Sequence, residues 1–388
     1  MPLDLTAIAR QARRDVPTAA AEAADLFAQV SSAVGALRNL DTERLRERRA
    51  TRHDVPWLTA EPTEPPSLRK AAPVPLTEYA VVATDGSHVD QDHHDALPHW
   101  LINLGLITLR YGDQPSAQLA TRSELGIGRD ALYYRHDGRR HRIQGQVLNV
   151  RRQVAEAAAL AELCEASPGA AGLIDGTLVL SSISRSTQPE PTAFLTEYLA
   201  ALDRVESSGG IIAAYISQPS GSDVVASLRI GCCDRSSCDP ICRLGDRATR
   251  PCGLFPDVLD RHLFAAMLEA GERSAIWRSG WPTSQRYYGR HAVHFFYFDT
   301  GVEVCRVEIP AWVALDPTRV DRLHAVLCAQ CDRGDDGYPR ALIEAHHLAV
   351  VTAGDRRALD TVIDNALTAG GIATLASAKQ RAKRLRAV

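Results

Sequence analysis

Two stretches of the chain repeat one pattern, an apolar run that ends in an aspartate, a glycine and a hydroxyl residue. The first is Tyr79-Ala-Val-Val-Ala-Thr-Asp85-Gly-Ser87 and the second is Ala171-Gly-Leu-Ile-Asp175-Gly-Thr177. Each apolar run reads as a buried strand, which predicts Asp85 and Asp175 at strand ends on the rim of one sheet. Carboxylates brought close together repel, and a divalent cation or a shared proton must neutralise them. The chemistry this points to is a metal site. Asp-Gly is also the commonest turn dipeptide, so the weight rests on the repetition rather than on either copy alone.

Other residues suited to chemistry surround these motifs. A helical period from Val147 to Ala166 carries Glu156 and Glu162 near its middle. Tyr338-Pro339 opens a further helix, Pro339 to Val351, with proline expected in the first turn and with His346 and His347 on its length. The run His88-Val-Asp90-Gln-Asp92-His93-His94-Asp95 is dense in ligand types, but neighbours in a loop cannot all face one ion, and it reads as a solvated turn. The nine cysteines include Cys232, Cys233, Cys238, Cys242 and Cys252 in one short segment. Their spacing is irregular, so reduced thiols are expected there rather than structural zinc. Cys328 and Cys331 make a single Cys-x-x-Cys on an apparent helix, which is weak evidence for redox or metal chemistry.

The elements that must position these groups follow an α/β order. Alanine-rich sequence from about Thr18 to Arg49 predicts one amphipathic helix or a broken pair. Prolines 56, 62, 65, 66, 73 and 75 then predict an extended connector. The core begins at Tyr79 and continues as strand, hairpin, helix, strand, helix, strand, an order that suits a ribonuclease-H-like mixed sheet flanked by helices. Two further strands, separated by Asp299-Thr-Gly301, and C-terminal helices complete the chain. The expected division is residues 1–52 as an N-terminal helical segment, 53–78 as connector, and 79–388 as the main domain with a Cys-rich insertion at about 231–253.

Composition narrows the function classes. Hydrophobic residues at 45% and charged residues at 23% of 388 describe a soluble globular chain. Charges interrupt the first segment and no window is long and apolar enough to span a bilayer, so a cytoplasmic protein without membrane contact is expected. A net charge of −3 provides no global basic field, and any nucleic-acid binding must rest on local patches. One such patch is the basic tail Lys379–Arg386.

In order and on these elements, the chain carries Val82-Ala-Thr-Asp85-Gly-Ser87, a glutamate on the following helix, Leu173-Ile-Asp175-Gly-Thr177-Leu178, and Tyr338-Pro-Arg-Ala-Leu-Ile-Glu-Ala-His346. Together these resemble the NurA family of DNA-end-processing nucleases, from Tyr79 to the 360s. The resemblance implies manganese-dependent 5′-to-3′ exonuclease and single-strand endonuclease activity in double-strand break repair. It also implies a ring-like homodimer and partnership with the hexameric DNA-translocating ATPase HerA. Asp85 and Asp175 match the family's strand aspartates, and Tyr338 and His346 its C-terminal tyrosine and histidine. Glu156, which follows Arg151 and Arg152, is taken as the helical acid, with Glu162 in reserve.

Asp85, Glu156, Asp175 and His346 would then be the metal ligands. Hard cations take oxygen donors, and an imidazole favours manganese over magnesium. The Cys-rich segment departs from the family pattern. Two other classes compete with a nuclease: a non-catalytic DNA-binding scaffold, and an actin-like ATPase. The second lacks support, because neither Gly209-Gly210 nor Gly370-Gly371 follows a suitable strand.

Overall fold

A computed structural model describes residues 3–51, 57–92, 97–136, 138–180, 192–234 and 252–371. By packing, the chain divides into two compact units. One is built from Pro73–Tyr215, Arg286–His291 and Glu308–Val388, and the other from Met1–Ala72, Ile216–Gln285 and Ala292–Val307.

The first of these units is organised around β1 (Tyr79–Val89), which pairs antiparallel with β2 (His99–Tyr111) from Tyr79↔Tyr111 to Val89↔Leu101. β2 pairs antiparallel with β3 (Ser116–Ile127). A separate small hairpin of β4 (Tyr133–His136) and β5 (Arg139–Arg142) leads into α1 (Gln146–Ala166). β6 (Ala171–Asp175) then runs parallel to β1, α2 (Thr192–Ser207) crosses back, and β7 (Ile211–Ile216) runs parallel to β6. The order β3-β2-β1-β6-β7 is an antiparallel meander continued by two parallel strands. That is the ribonuclease-H-like mixed sheet expected from the sequence.

The burial pattern explains the order. Ala171 to Ile174 of β6 are all buried, as a strand covered on both faces must be. Val150, Val154, Ala157, Leu160, Ala161 and Cys164 give α1 its buried face, and the helix packs on β1 and α2. Two further helices matter for the site: α3 (Pro317–Cys331) and α4 (Arg340–Ala349), the latter lying on β1 and β2. Pro339 is the N-cap residue of α4 rather than a first-turn residue, and it offers no side-chain acceptor. The fully buried Gln330 of α3 supplies that acceptor, its Oε1 taking the Ala341 N–H at 3.0 Å.

One expectation about β1 changes. Asp85 was expected at the end of the strand, yet β1 continues to Val89. The parallel ladder to β6 is what stops, at Thr84↔Ile174. Asp85 is thus the first residue of β1 past the ladder, beside the strand end that carries Asp175.

In the other unit, the N-terminal helical sequence is a broken pair, Leu5–Arg38 and Thr42–Thr51. It begins well before Thr18, because Asp4 caps it by accepting the Ala7 N–H at 3.0 Å. Val30, Ala33, Val34 and Leu37 form its buried stripe, packed with Val224, Leu228, Phe264 and Phe295. The proline-rich stretch is not wholly a connector. Glu61–Pro62 pairs with Trp277–Arg278, and Arg69–Lys70 with Arg273–Ser274, ladders that the surrounding prolines keep to two residues each. Val293–Asp299 and Val304–Pro310, the latter in this unit up to Val307, are the two strands expected around Asp299-Thr-Gly301. Among the described residues, no helix is long and apolar enough to cross a membrane.

Candidate metal centre

Asp85 and Asp175 face each other from the adjacent strands β1 and β6, and α1 brings Glu156 to them from one side. Glu156 is only 3% exposed. Burial pushes its carboxyl up to about 8, with Asp85 and Asp175 adding repulsion and Arg152 opposing the shift. Asp175 is also raised, first by burial and then by Asp85, against the hydrogen bond it accepts from Tyr338.

Each aspartate has a partner from the C-terminal part of the chain. The His346 Nδ1 lies 2.9 Å from Asp85 Oδ2, and the Tyr338 hydroxyl donates to Asp175 Oδ1 at 2.8 Å. The Tyr338 ring stands edge-on to Tyr215 of β7, with centroids 5.0 Å apart. The His346 side chain is 64% exposed, so a substrate can reach it.

Two glycines make this convergence possible. Gly86 lies within β1, so the first Asp-Gly is not a turn; a Cβ there would overlap Glu156 Oε1 and press on Arg152. Glu156 occupies the space a side chain would fill. Gly105 is paired directly with Asp85, and a Cβ there would overlap the Ala345 carbonyl of α4. The helix therefore sits on β2 backbone, with Asn103 Nδ2 donating to the Leu348 and Ala349 carbonyls and Ser87 Oγ donating to Ala349. This seat carries His346 to Asp85. Gly105→Ala should lower stability by about 1–3 kcal/mol, the usual cost of overpacking, and lower any His346-dependent activity with it. Thermal melting checks this, and an unchanged melting temperature would contradict the seat.

Arg152, Glu308, Asn103 and Gln330 shape the site, and of these only Arg152 was named from the sequence, as a neighbour of Glu156. Arg152 ion-pairs with Glu156 one helical turn on, and also donates to the Gly86 carbonyl at 3.0 Å and Asn149 Oδ1 at 2.8 Å. The i,i+4 spacing of Arg152 and Glu156 was its signal. Glu308 is buried and accepts from the Thr177 hydroxyl at 2.6 Å and the Leu178 N–H at 3.0 Å, which fixes the loop that follows Asp175. Its signal was an acid inside a strand that is apolar but for Arg306.

Other candidates lie elsewhere. Glu162 pairs with Arg122 at 2.7 Å on the surface. Asp90 accepts the Gly145 N–H at 2.8 Å just before α1, and His93, His94 and Asp95 lie outside the described residues. Cys238, Cys242 and the basic tail also lie outside them. Cys233 and Cys252 are buried, and burial pushes the Cys328 thiol up to about 11.

The donor set suits a hard divalent ion. Three carboxylates repel one another, and one of them is so buried that it takes the Arg152 guanidinium as its counter-cation. Among the described residues, no three Asp, Glu, His or Cys side chains stand in ligating geometry, and Glu156 is paired with Arg152.

The NurA domain matches residues 79–351, from the first residue of β1 to just beyond α4. The chain belongs to the NurA family. NurA proteins are nucleases that act on DNA, and the matched span takes in Asp85, Glu156, Asp175, Tyr338 and His346. No curated protein matches the chain. Among solved structures, it is similar to the Thermus thermophilus RuvC structure at 14% identity, over 48% of this chain and 96% of that one, with a TM-score of 0.16.

Proposed function

We propose that this NurA protein is a manganese-dependent deoxyribonuclease, with magnesium as the alternative ion. It acts as a 5′-to-3′ exonuclease and single-strand endonuclease on DNA ends in double-strand break repair. It works as a homodimer, beside a HerA-type hexameric ATPase. The observation that carries this reading is the meeting of Asp85, Asp175 and the buried Glu156 where β6 ends, with His346 and Tyr338 each bonded to one aspartate.

Asp85, Glu156 and Asp175 would hold the cation, with His346 either a further ligand or the proton donor. When bound, divalent ions make a water nucleophilic and stabilise a leaving alkoxide. The chain's own groups do the rest. Tyr338 fixes the orientation of Asp175 by donating to one of its oxygens. Asp85 orients the His346 imidazole through the 2.9 Å contact, so that a proton on the exposed ring can pass to the departing oxygen as the P–O bond breaks. His346→Ala should slow cleavage by about 10²–10⁴-fold and change DNA affinity far less, as removal of a general acid does. Equal losses in rate and affinity would assign His346 to binding alone.

An end-labelled DNA assay with manganese, magnesium or chelator tests the reading. Nucleotide release in manganese and none in chelator is expected, and metal-independent cleavage would contradict it. Neither Gly209-Gly210 nor Gly370-Gly371 follows a strand suited to a nucleotide loop, so a HerA-type ATPase should raise duplex degradation only when ATP is present. Absence of both co-elution and stimulation would remove the partner from the proposal.

A further inference from the structure

The β4–β5 hairpin gathers positive charge that the site itself does not use. Four of the ten residues from Tyr133 to Arg142 are arginines, in a chain whose net charge is −3. Arg135, Arg139, Arg140 and Arg142 are exposed, and among the described residues none of them pairs with a carboxylate. Arg135 is directly opposite Arg140, and Tyr133 opposite Arg142. Opposed residues and their i+2 neighbours share a face, so Arg135, Arg140 and Arg142 line one side of the ribbon. Like charges placed directly opposite destabilise a hairpin, and here no described carboxylate offsets that cost.

The base of the hairpin is firmly anchored. The Ile143 N–H donates to the Leu132 carbonyl at 2.9 Å, and the Trp100 Nε1–H to the Ala131 carbonyl at 2.8 Å. Leu132, Ile143, Trp100 and Leu148 belong to one buried cluster, with Tyr133 and Tyr134 packed against it. Gln91, just past β1, donates to the Ile143 carbonyl at 2.8 Å. Two of the three elements that bear the acids, β1 and α1, thus lead to this base. Glu156 lies ten residues after the start of α1, or about 15 Å along the helix. Gln91 lies six residues beyond Asp85, or about 20 Å along an extended chain.

We propose that the arginine face of this hairpin docks the phosphate backbone of DNA, resting on the nuclease reading above. Rigidly rooted guanidinia repeated along one face of a ribbon suit a polyanion with regularly spaced charges. With about 3.4 Å per nucleotide, a root 15–20 Å away places the contact about four to six base pairs from the carboxylates. The hairpin would hold the duplex while an end is processed.

The test is binding of a fluorescent duplex to the full chain in chelator, so that no cleavage intervenes, at 50 to 200 mM salt. It compares the wild type with Arg135→Gln/Arg140→Gln and Arg135→Lys/Arg140→Lys, each also melted thermally. Each phosphate contact contributes about 0.9 to the slope of log affinity against log salt. Losing two should make the slope of the glutamine variant shallower by about 1.8, so the wild type loses about 12-fold more affinity than the variant across that range. The lysine variant should keep the wild-type slope, and the glutamine variant should melt at the same or a higher temperature because like charges are relieved. A glutamine variant with wild-type affinity and slope overturns the assignment and leaves an acidic protein surface as the hairpin's partner. A wild-type chain that binds no duplex even at 50 mM salt contradicts the nuclease reading itself.

Discussion

Asp85→Asn and Asp175→Asn should each lower nuclease activity by on the order of 10³-fold or more, beyond the loss of a single transition-state hydrogen bond. The amide keeps the size of the carboxylate and removes its charge, so a cation held by anionic oxygens loses its strongest donors. Metal-free stability should move the other way. Burial raises the Asp175 carboxyl, so the folded chain resists its ionisation more than the unfolded chain does. That penalty grows as pH rises through the carboxylate range, and asparagine removes it. The variants should therefore melt at or above the wild-type temperature at pH 8 without metal. Turn-capping aspartates would behave differently, because asparagine replaces them nearly as well and activity would survive. Cleavage rates and melting curves on the same preparations separate the two accounts.

The second large effect separates the two helical acids. Glu156→Gln should abolish cleavage, whereas Glu162→Gln should leave it near the wild-type rate, since Glu162 only pairs with Arg122 on the surface. Glu156 also has a pH signature. Its carboxyl is raised from 4.5 to about 8, so between those values the folded chain keeps a proton that the unfolded chain has lost. Metal-free wild type should lose stability as pH climbs through that window, and Glu156→Gln should flatten the dependence. Melting temperatures from pH 5 to 9 check this. A glutamine variant with the wild-type slope would mean that another group carries the titration.

The parts of this molecule that could be read in the sequence are those written as local pattern. Continuous apolar runs at β1 and β6 and a 3.6-residue period at α1 suffice to order the sheet, since short crossovers leave few topologies. The aspartates were visible because they terminate those runs. What stayed hidden depends on contacts between distant segments. Gly86 looks like a turn residue until Glu156 is found in the space beside it, and Gly105 is unremarkable until α4 lies on it. The choice between Glu156 and Glu162 needs the phase of α1 relative to β1, which helical periodicity alone does not set. The short ladders at Glu61–Pro62 and Arg69–Lys70 were masked by prolines, whose local preference for extended chain is satisfied at a sheet edge as well as in a linker. The arginine hairpin was not singled out from the sequence, and its register is what shows Arg135 facing Arg140.

The central claim is that Asp85, Glu156 and Asp175 together hold a divalent cation, and calorimetric titration of manganese into the metal-free chain without DNA tests it most directly. Saturable binding is expected in the wild type, together with proton release near neutral pH as Glu156 ionises. In Asp85→Asn the affinity should fall by more than the ~10–100-fold typical of losing an outer-shell partner. Wild-type protein that binds no manganese, or an Asp85→Asn variant that binds it equally well, would contradict the account.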